Sequence, residues 1–199
     1  MAKVSHNARQ ETRAGTGAAT DGMPQNVAVV RLGHRTRRDQ RITTHVFLAA
    51  RALGAAEGVL CGDEDESVLK GISKVSELWG GKFSIRYEGN WKKFVAARKK
   101  EGAVVVHLTM YGEKFEEKMP RLRGKDIVIL VGAGKVPREA YTLSDFNLSV
   151  SAQPHSEVSA LALFLDRFFA GRELDVDFRG KIRVVPNKCG KEVVRGRND

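Results

Sequence analysis

Short apolar runs alternate with segments of helical spacing from residue 26 onward, and this alternation limits the possible folds more than any other feature. The predicted strands cover residues 26–32, 58–62, 82–89, 103–110, 126–134, 146–151 and 181–186. Strands that alternate with helices predict an α/β fold with a doubly wound, mostly parallel sheet and helices on both faces. The runs at 103–110 and 126–131 are almost continuously apolar, which predicts central strands.

The helices are predicted from apolar spacing and from capping residues. They cover residues 43–55, 66–81, 90–102, 113–124, 136–145 and 155–171. The first begins at Thr43 or Thr44, and Asn90 caps the third. Pro120 is expected to break the fourth helix, because proline removes a backbone donor.

The first 25 residues are polar and rich in Gly, Ala and Thr, and they lack the apolar centre of a signal peptide. We therefore expect a disordered leader over 1–25 and a single domain over 26–199. No apolar run approaches the roughly 18 residues of a membrane span. The two cysteines, Cys61 and Cys189, form neither a disulfide framework nor a CxxC zinc motif. These features favour a reduced, cytoplasmic protein without a membrane segment.

The net charge of +10 is concentrated in two segments, residues 31–51 and 179–199. Residues 31–45 alone contain five arginines and two histidines. Such clustering favours a polyanionic partner, most simply a nucleic acid, over a merely solvated surface.

Ligands of parallel sheets bind beyond the carboxyl ends of the strands. The first of these ends has Gly33 alone where a dinucleotide fold needs Gly-x-Gly-x-x-Gly, and GxxxxGK[ST] is absent as well. The ends near 131–136 and 150–157 consist mainly of small residues, which let backbone atoms approach a flat ring such as adenine. Two tight turns without a ligand are the alternative interpretation.

Five segments together resemble a known family, the archaeal tRNA (cytidine-56) 2′-O-methyltransferases of the SPOUT superfamily. They are RLGHRTRRDQRITTHVFLAARALGA (31–55), VHLTMYG (106–112), VGAGKVPREAY (131–141), SAQPHSEVSALALFLDRFF (151–169) and GKIRVVP (180–186). The resemblance implies a C-terminal deep trefoil knot that binds S-adenosyl-L-methionine, a homodimer, and methylation of a ribose in the T-loop of tRNA.

The resemblance also implies three cofactor loops. They comprise Leu108; Gly132, Ala133, Gly134, Lys135 and Val136; and Val150, Ser151, Ala152, Gln153, Pro154, His155, Ser156 and Glu157. The chain departs from the family at Gly134, where an acidic residue is usual, and at Ser151-Ala152, where Gly-Asn is usual. Both departures are expected to weaken cofactor binding without abolishing a site built largely from backbone.

Methyl transfer to a ribose hydroxyl requires a base or a cation, because the hydroxyl is a very weak acid. An arginine remains protonated and stabilises the developing alkoxide electrostatically. Arg41 or Arg38 is predicted to be catalytic, and Arg31, Arg35 and Arg37 are predicted to bind RNA phosphates. A salt-bridged, solvated segment is the alternative.

Three histidines require separate interpretations. His155, with Glu157, suits either helix capping or acid–base chemistry. His34 and His45 lack cysteine or acidic neighbours at ligand spacing, so no metal site is predicted.

Other functions remain open from the sequence alone. The acceptor could be another tRNA or rRNA nucleotide, or the chain could be a non-catalytic basic RNA-binding module. A nicotinamide oxidoreductase is disfavoured because its glycine fingerprint is missing.

Overall fold

The computed structural model describes residues 26–132 and 134–196. Six strands form one sheet in the order β3-β2-β1-β5-β4-β6, and every neighbouring pair is parallel. They are β1 Val27–His34, β2 Glu57–Gly62, β3 Ser84–Tyr87, β4 Val104–Lys114, β5 Ile127–Gly132 and β6 Phe146–Ser149. The predicted α/β class is therefore confirmed. The predicted leader over 1–25 lies outside the described residues.

Helices cover both faces of this sheet. They are α1 Thr36–Ala52, α2 Glu66–Trp79, α3 Trp91–Lys100, α4 Phe115–Leu122, α5 Arg138–Leu143 and α6 Glu157–Phe169. One face packs against α1, α2, α4 and α6, with Phe47, Ile72 and Phe164 fully buried. The other face packs against α3 and α5, through residues such as Phe94 and Ala140. This double winding is the predicted architecture.

Helix α1 begins seven residues earlier than the predicted start at Thr43, because its first turn has acidic partners. Asp39 accepts hydrogen bonds from the backbone and side chain of Arg35, and the Thr36 N–H donates to Asp63. Acidic groups at a helix N-terminus stabilise its free N–H groups. The arginine segment is therefore largely helical rather than a loop.

Two further predictions need correction. Pro120 lies inside α4 instead of breaking it, because burial of Phe115, Met119 and Leu122 in the core holds the helix together. The predicted strand near 181–186 exists as β7 (Ile182–Val185), but it pairs with an unpredicted antiparallel strand, β8 (Glu192–Arg195).

Strand β5 lies between β1 and β4, although β4 precedes it in the sequence. Its register runs from Val27↔Ile127 to Leu32↔Gly132 on one side, and it pairs with β4 on the other. The strand order therefore reverses direction at this centre. In α/β folds, ligands bind at the carboxyl ends of the strands where such a reversal occurs. This order is compatible with the trefoil knot, and the threading itself stays a prediction.

The C-terminal segment is held against the turn that follows α2. The Gly81 N–H donates to the Phe178 carbonyl over 2.8 Å, and Gly80 forms a bridge with Arg179. Gly80 has φ +76°, and a Cβ there would lie 2.0 Å from the Phe178 carbonyl oxygen. Only glycine fits this contact.

We predict that Gly80→Ala destabilises the fold by roughly 2 to 5 kcal/mol, the sum of left-handed strain and steric overlap. Gly102→Ala is the matched control, because Gly102 has φ +93° and a Cβ there would meet nothing within 4 Å. The control should lose only about 1 to 2 kcal/mol in urea unfolding. Equal losses in both variants would contradict the proposed steric contact.

Candidate active site

Three neighbouring strands, β5, β4 and β6, end at the same edge of the sheet. The predicted cofactor loops at 132–136 and 150–157 follow β5 and β6, and the one at Leu108 lies where β4 leaves regular pairing with β6. Leu108 on β4 is 8 % exposed and packs in the core. Between Leu108 and Glu113 the register of β4 against β6 is shifted. Tyr111, which lies in this stretch, is 80 % exposed. The topology therefore brings the three loops, which are distant in the sequence, to one place.

The loop after β5 is compact at its beginning. A Cβ on Gly132 would lie 1.8 Å from a methyl carbon of Val136, so this turn requires glycine. Gly134 has φ +64° with open space beside it, and Gly134 and Lys135 are exposed. Ala133, also predicted to contact the cofactor, lies outside the described residues.

The loop after β6 is ordered by its own hydroxyl groups. The Ser149 hydroxyl donates to the Ser151 carbonyl, and the Gln153 N–H donates to the Ser151 hydroxyl. Ser156 caps α6 by accepting the Val158 N–H at 3.1 Å. His155 Nδ1 lies 2.6 Å from the Gln153 carbonyl oxygen. Ser156 and His155 thus both have structural contacts.

The loop residues fit a ligand held by main-chain atoms. Within the described part of the chain, Lys135 and Ala152 make no hydrogen bond, and all residues from 151 to 156 are exposed. Backbone groups without partners are strong donors and acceptors. Small side chains leave them accessible to an adenine or a carboxylate.

Arg31 lies beneath the third loop and is completely buried. Its Nη2 is 2.9 Å from Glu157 Oε1, but no guanidinium nitrogen has a well-directed hydrogen bond within the described residues. Burial lowers the pKa of Arg31, whereas Glu157 and Asp39 oppose this effect. The contact joins β1 to the first turn of α6 by charge attraction.

The prediction that Arg31 binds RNA phosphate is therefore wrong for this fold. Val27 and Val29 point into the core that contains α1 and α6, and residues two apart in a strand face the same side. The same alternation in the sequence would have placed Arg31 inward. The clustering of charge in residues 31–45 hides this inward position, because it favours the surface for every arginine of the segment.

The other arginines lie on or beside the first turns of α1. Arg35 pairs with Asp39 over 2.8 Å, and this hydrogen bond lowers the pKa of Asp39. Arg37, Arg38 and Arg41 are exposed and have no ion pair within residues 26–132 and 134–196. Because residues three and four apart are neighbours on a helix, these three guanidinium groups form one patch.

Two buried histidines take part in polar networks. His34 lies between Thr43, at 2.9 Å, and Asp65, at 3.3 Å. His107 Nδ1 is 3.0 Å from the Asn147 side-chain oxygen, and its ring meets that of Tyr141 edge-on. The described residues contain no group of three or more potential metal ligands. These networks were not predicted, because their members are distant in sequence.

The fold is that of the SpoU methyltransferases. The crystal structure of the SpoU methyltransferase AviRb from Streptomyces viridochromogenes, in complex with AdoMet, superposes with a TM-score of 0.55 and 17 % identity. The superposition covers 74 % of this chain and 58 % of AviRb. At this identity the likeness establishes the fold alone.

Sequence similarity defines the family. Residues 79–194 match the family of tRNA ribose 2′-O-methyltransferases, aTrm56. The tRNA (cytidine(56)-2′-O)-methyltransferase of Methanopyrus kandleri is 52 % identical over 84 % of this chain and 95 % of its own length. That of Methanocaldococcus jannaschii is 53 % identical over 85 % and 96 %. The chain therefore belongs to the aTrm56 family.

We predict that Glu157→Gln destabilises the fold by about 2 to 3 kcal/mol, because Arg31 would remain buried without its ion-pair partner. Removing one partner of a fully buried ion pair usually lowers the free energy of unfolding by roughly 3 to 5 kcal/mol. The loss expected here is smaller, because the Glu157 side chain is 24 % exposed. In urea unfolding, the double variant Arg31→Met/Glu157→Gln should be more stable than Glu157→Gln alone. Additive losses would show that the two side chains do not interact.

We also predict a pH dependence from His107. Burial lowers its pKa, and the bond to Asn147 only partly opposes this. Below about pH 6.5 the unfolded chain therefore binds a proton that the folded chain does not. The free energy of unfolding should fall as the pH decreases from this value.

Urea unfolding between pH 7.5 and 5 checks this prediction. His107→Gln should flatten the dependence of the unfolding free energy on pH, because it removes the buried imidazole. An unchanged slope in His107→Gln would refute the assignment.

Proposed function

We propose that this protein transfers the methyl group of S-adenosylmethionine to the 2′-hydroxyl of cytidine 56 in the T-loop of tRNA. The observation that carries the proposal is the near full-length match to relatives named for this reaction. A tRNA substrate also fits the net charge of +10 and implies a cytoplasmic location.

The three cofactor loops, one at the irregular part of β4 and two after β5 and β6, bind the cofactor in this proposal. When bound, S-adenosylmethionine supplies an electrophilic methyl group on its sulfonium sulfur. The backbone groups of Lys135 and Ala152, which have no partner among the described residues, suit its polar parts, and the apolar side chain of Leu108 suits its apolar part. The two family departures, at Gly134 and at Ser151-Ala152, leave this backbone surface intact.

Glu157 has a positioning role in the proposal. Its ion pair with Arg31 ties the end of the third loop to the central strand β1. A rigid loop lowers the entropic cost of orienting the sulfonium for in-line attack. Because the Glu157 carboxylate is held in this ion pair, a role as an acid or base in the reaction is less consistent with the structure.

The exposed patch of Arg37, Arg38 and Arg41 faces the RNA in the proposal. Arg41 or Arg38 stabilises the ribose oxyanion, and Arg37 and Arg35 contact phosphates. Arg35 shares its charge with Asp39, so its contribution to RNA binding is smaller. Folded RNA is recognised by shape and by its phosphates, and the affinity should fall steeply with salt.

Helix α6 provides the homodimer interface in the proposal. It buries six residues in the core, yet Leu163 on its outer side remains 50 % exposed. Ser159 and Arg167, four residues away on either side, are also exposed. An apolar centre with a polar rim is typical of an interface, and a two-fold axis would bring two copies of Leu163 together.

The direct test is incubation of unmodified tRNA with methyl-labelled cofactor, followed by mapping of the labelled nucleoside. We expect the label on the ribose of cytidine 56. Label on another nucleotide would support the alternative acceptor. Binding of tRNA without any label would support the non-catalytic RNA-binding module.

We predict that Arg41→Ala lowers turnover by roughly 10²- to 10³-fold, the usual effect of removing an oxyanion-stabilising donor. Calorimetry should show unchanged cofactor affinity, because Arg41 lies outside the three loops. Arg38→Ala is the competing variant, and Arg121→Ala, an exposed arginine of α4, is the control. Full turnover in Arg41→Ala would exclude that residue and leave Arg38.

We predict that Leu163→Glu weakens the homodimer at least about tenfold, because it places two like charges at a desolvated contact. Sedimentation velocity over a range of protein concentrations measures the effect. Val193→Glu is the control, since Val193 is 52 % exposed on β8. A monomeric wild type, or equal weakening by both changes, would contradict an interface on α6.

A further inference from the structure

A cavity of about 570 Å³ opens at the amino-terminal edge of the sheet, opposite the three loops. It lies where β1, β2 and β3 begin, next to the end of α1 and the C-terminal segment. Its lining includes Asn26, Arg51, Phe83, Ser84, Arg98 and Phe178. The volume falls within the roughly 300–1,000 Å³ of small-molecule sites.

Arg51 is the unusual group in this lining. It is only 7 % exposed, and its Nη2 donates to the Gly80 carbonyl over 2.6 Å. Its guanidinium carbon lies 5.2 Å from the centre of the Phe178 ring, and its Nε has no partner within the described residues. Burial is the cause that lowers the pKa of Arg51.

No carboxylate in the described part of the chain pairs with Arg51. Glu57, the one acidic residue in the lining, is already engaged by Arg86 at 2.9 Å and by Arg98 at 2.8 Å. Arg98 is held by Glu101 at 3.2 Å as well, whereas Arg51 has no carboxylate beside it among the described residues.

A buried cation without a counter-charge is costly. Arg31, which is also buried, has Glu157 beside it, whereas Arg51 has no such partner among the described residues. The cavity also has an apolar portion, formed by Ala55, Val176 and the two phenylalanines. A ligand that suits both portions carries an anionic group and a flat aromatic body that can stack on a phenylalanine ring.

We propose that this cavity binds a nucleoside monophosphate group, with the phosphate at Arg51 and the base against the apolar wall. The group is either a free nucleotide or a nucleotide of the RNA substrate. The site lies at the opposite edge of the sheet from the cofactor loops. Binding of a free nucleotide there is independent of the proposed methyl transfer, whereas binding of a nucleotide of the RNA rests on the proposed tRNA substrate.

Isothermal titration with CMP and AMP tests the proposal, with S-adenosylmethionine present at saturation so that the cofactor loops are occupied. Arg51→Met removes the buried charge at nearly constant length and should weaken binding about tenfold or more. Ser84→Trp fills the cavity from an exposed strand position and should have a similar effect without altering any charge. Arg121→Met removes an exposed charge elsewhere and should leave binding unchanged.

A second measurement distinguishes the two sources of the nucleotide. If Ser84→Trp also weakens tRNA binding, the occupant is a nucleotide of the RNA, and if tRNA binding is unchanged, it is a free nucleotide. Inorganic phosphate should bind more weakly than CMP or AMP, because it lacks the flat body. Absent binding of both nucleotides, or equal affinity in wild type, Arg51→Met and Ser84→Trp, would overturn the proposal.

Discussion

The pairing of β5 between β1 and β4 is the constraint on which the rest of this structure depends. Through it, a strand from late in the chain joins the centre of a sheet whose other side is already defined by β1, β2 and β3. The ends of β4, β5 and β6 then meet at one edge. Without this insertion, the small-residue loops would be distant turns with no common surface.

The same arrangement explains why two buried arginines of similar chemistry have different consequences. Arg31 lies near the carboxyl end of β1 and meets Glu157 from the helix that follows β6. Arg51 lies near the opposite edge, at the end of α1, and among the described residues it meets a carbonyl and an aromatic ring but no carboxylate. The charge of Arg31 is therefore balanced within the fold, whereas that of Arg51 lies beside a cavity without a carboxylate partner in the described residues.

Much of the fold could be predicted from the sequence, because apolar periodicity and capping residues are local signals. The sheet class, the six helices and the cap at Asn90 follow from such signals. The early start of α1 could not be predicted in this way, since it depends on Asp39 and on Asp63 from a neighbouring strand end. Strand β8 could not be predicted either, because it is stabilised mainly by its pairing with β7 and not by a local sequence signal.

The candidate site was predictable in outline, but its internal contacts were not. The loops were identified from a resemblance, and their convergence then depends on strand order, which no single segment encodes. The Arg31–Glu157 pair joins residues 126 positions apart, and the His107–Asn147 contact joins residues 40 apart. Contacts of this kind arise only when the chain is folded.

The late placement of β5 and α6 has a consequence for the order in which the molecule matures. The chain leaves the ribosome from its amino terminus. The strands β1 to β4 are therefore synthesised before β5, which lies between β1 and β4 in the sheet. Arg31 lacks its carboxylate until residue 157 has been synthesised. The nascent chain up to β4 therefore lacks its central strand and the carboxylate that pairs with Arg31, and the polypeptide from residue 127 onward supplies both.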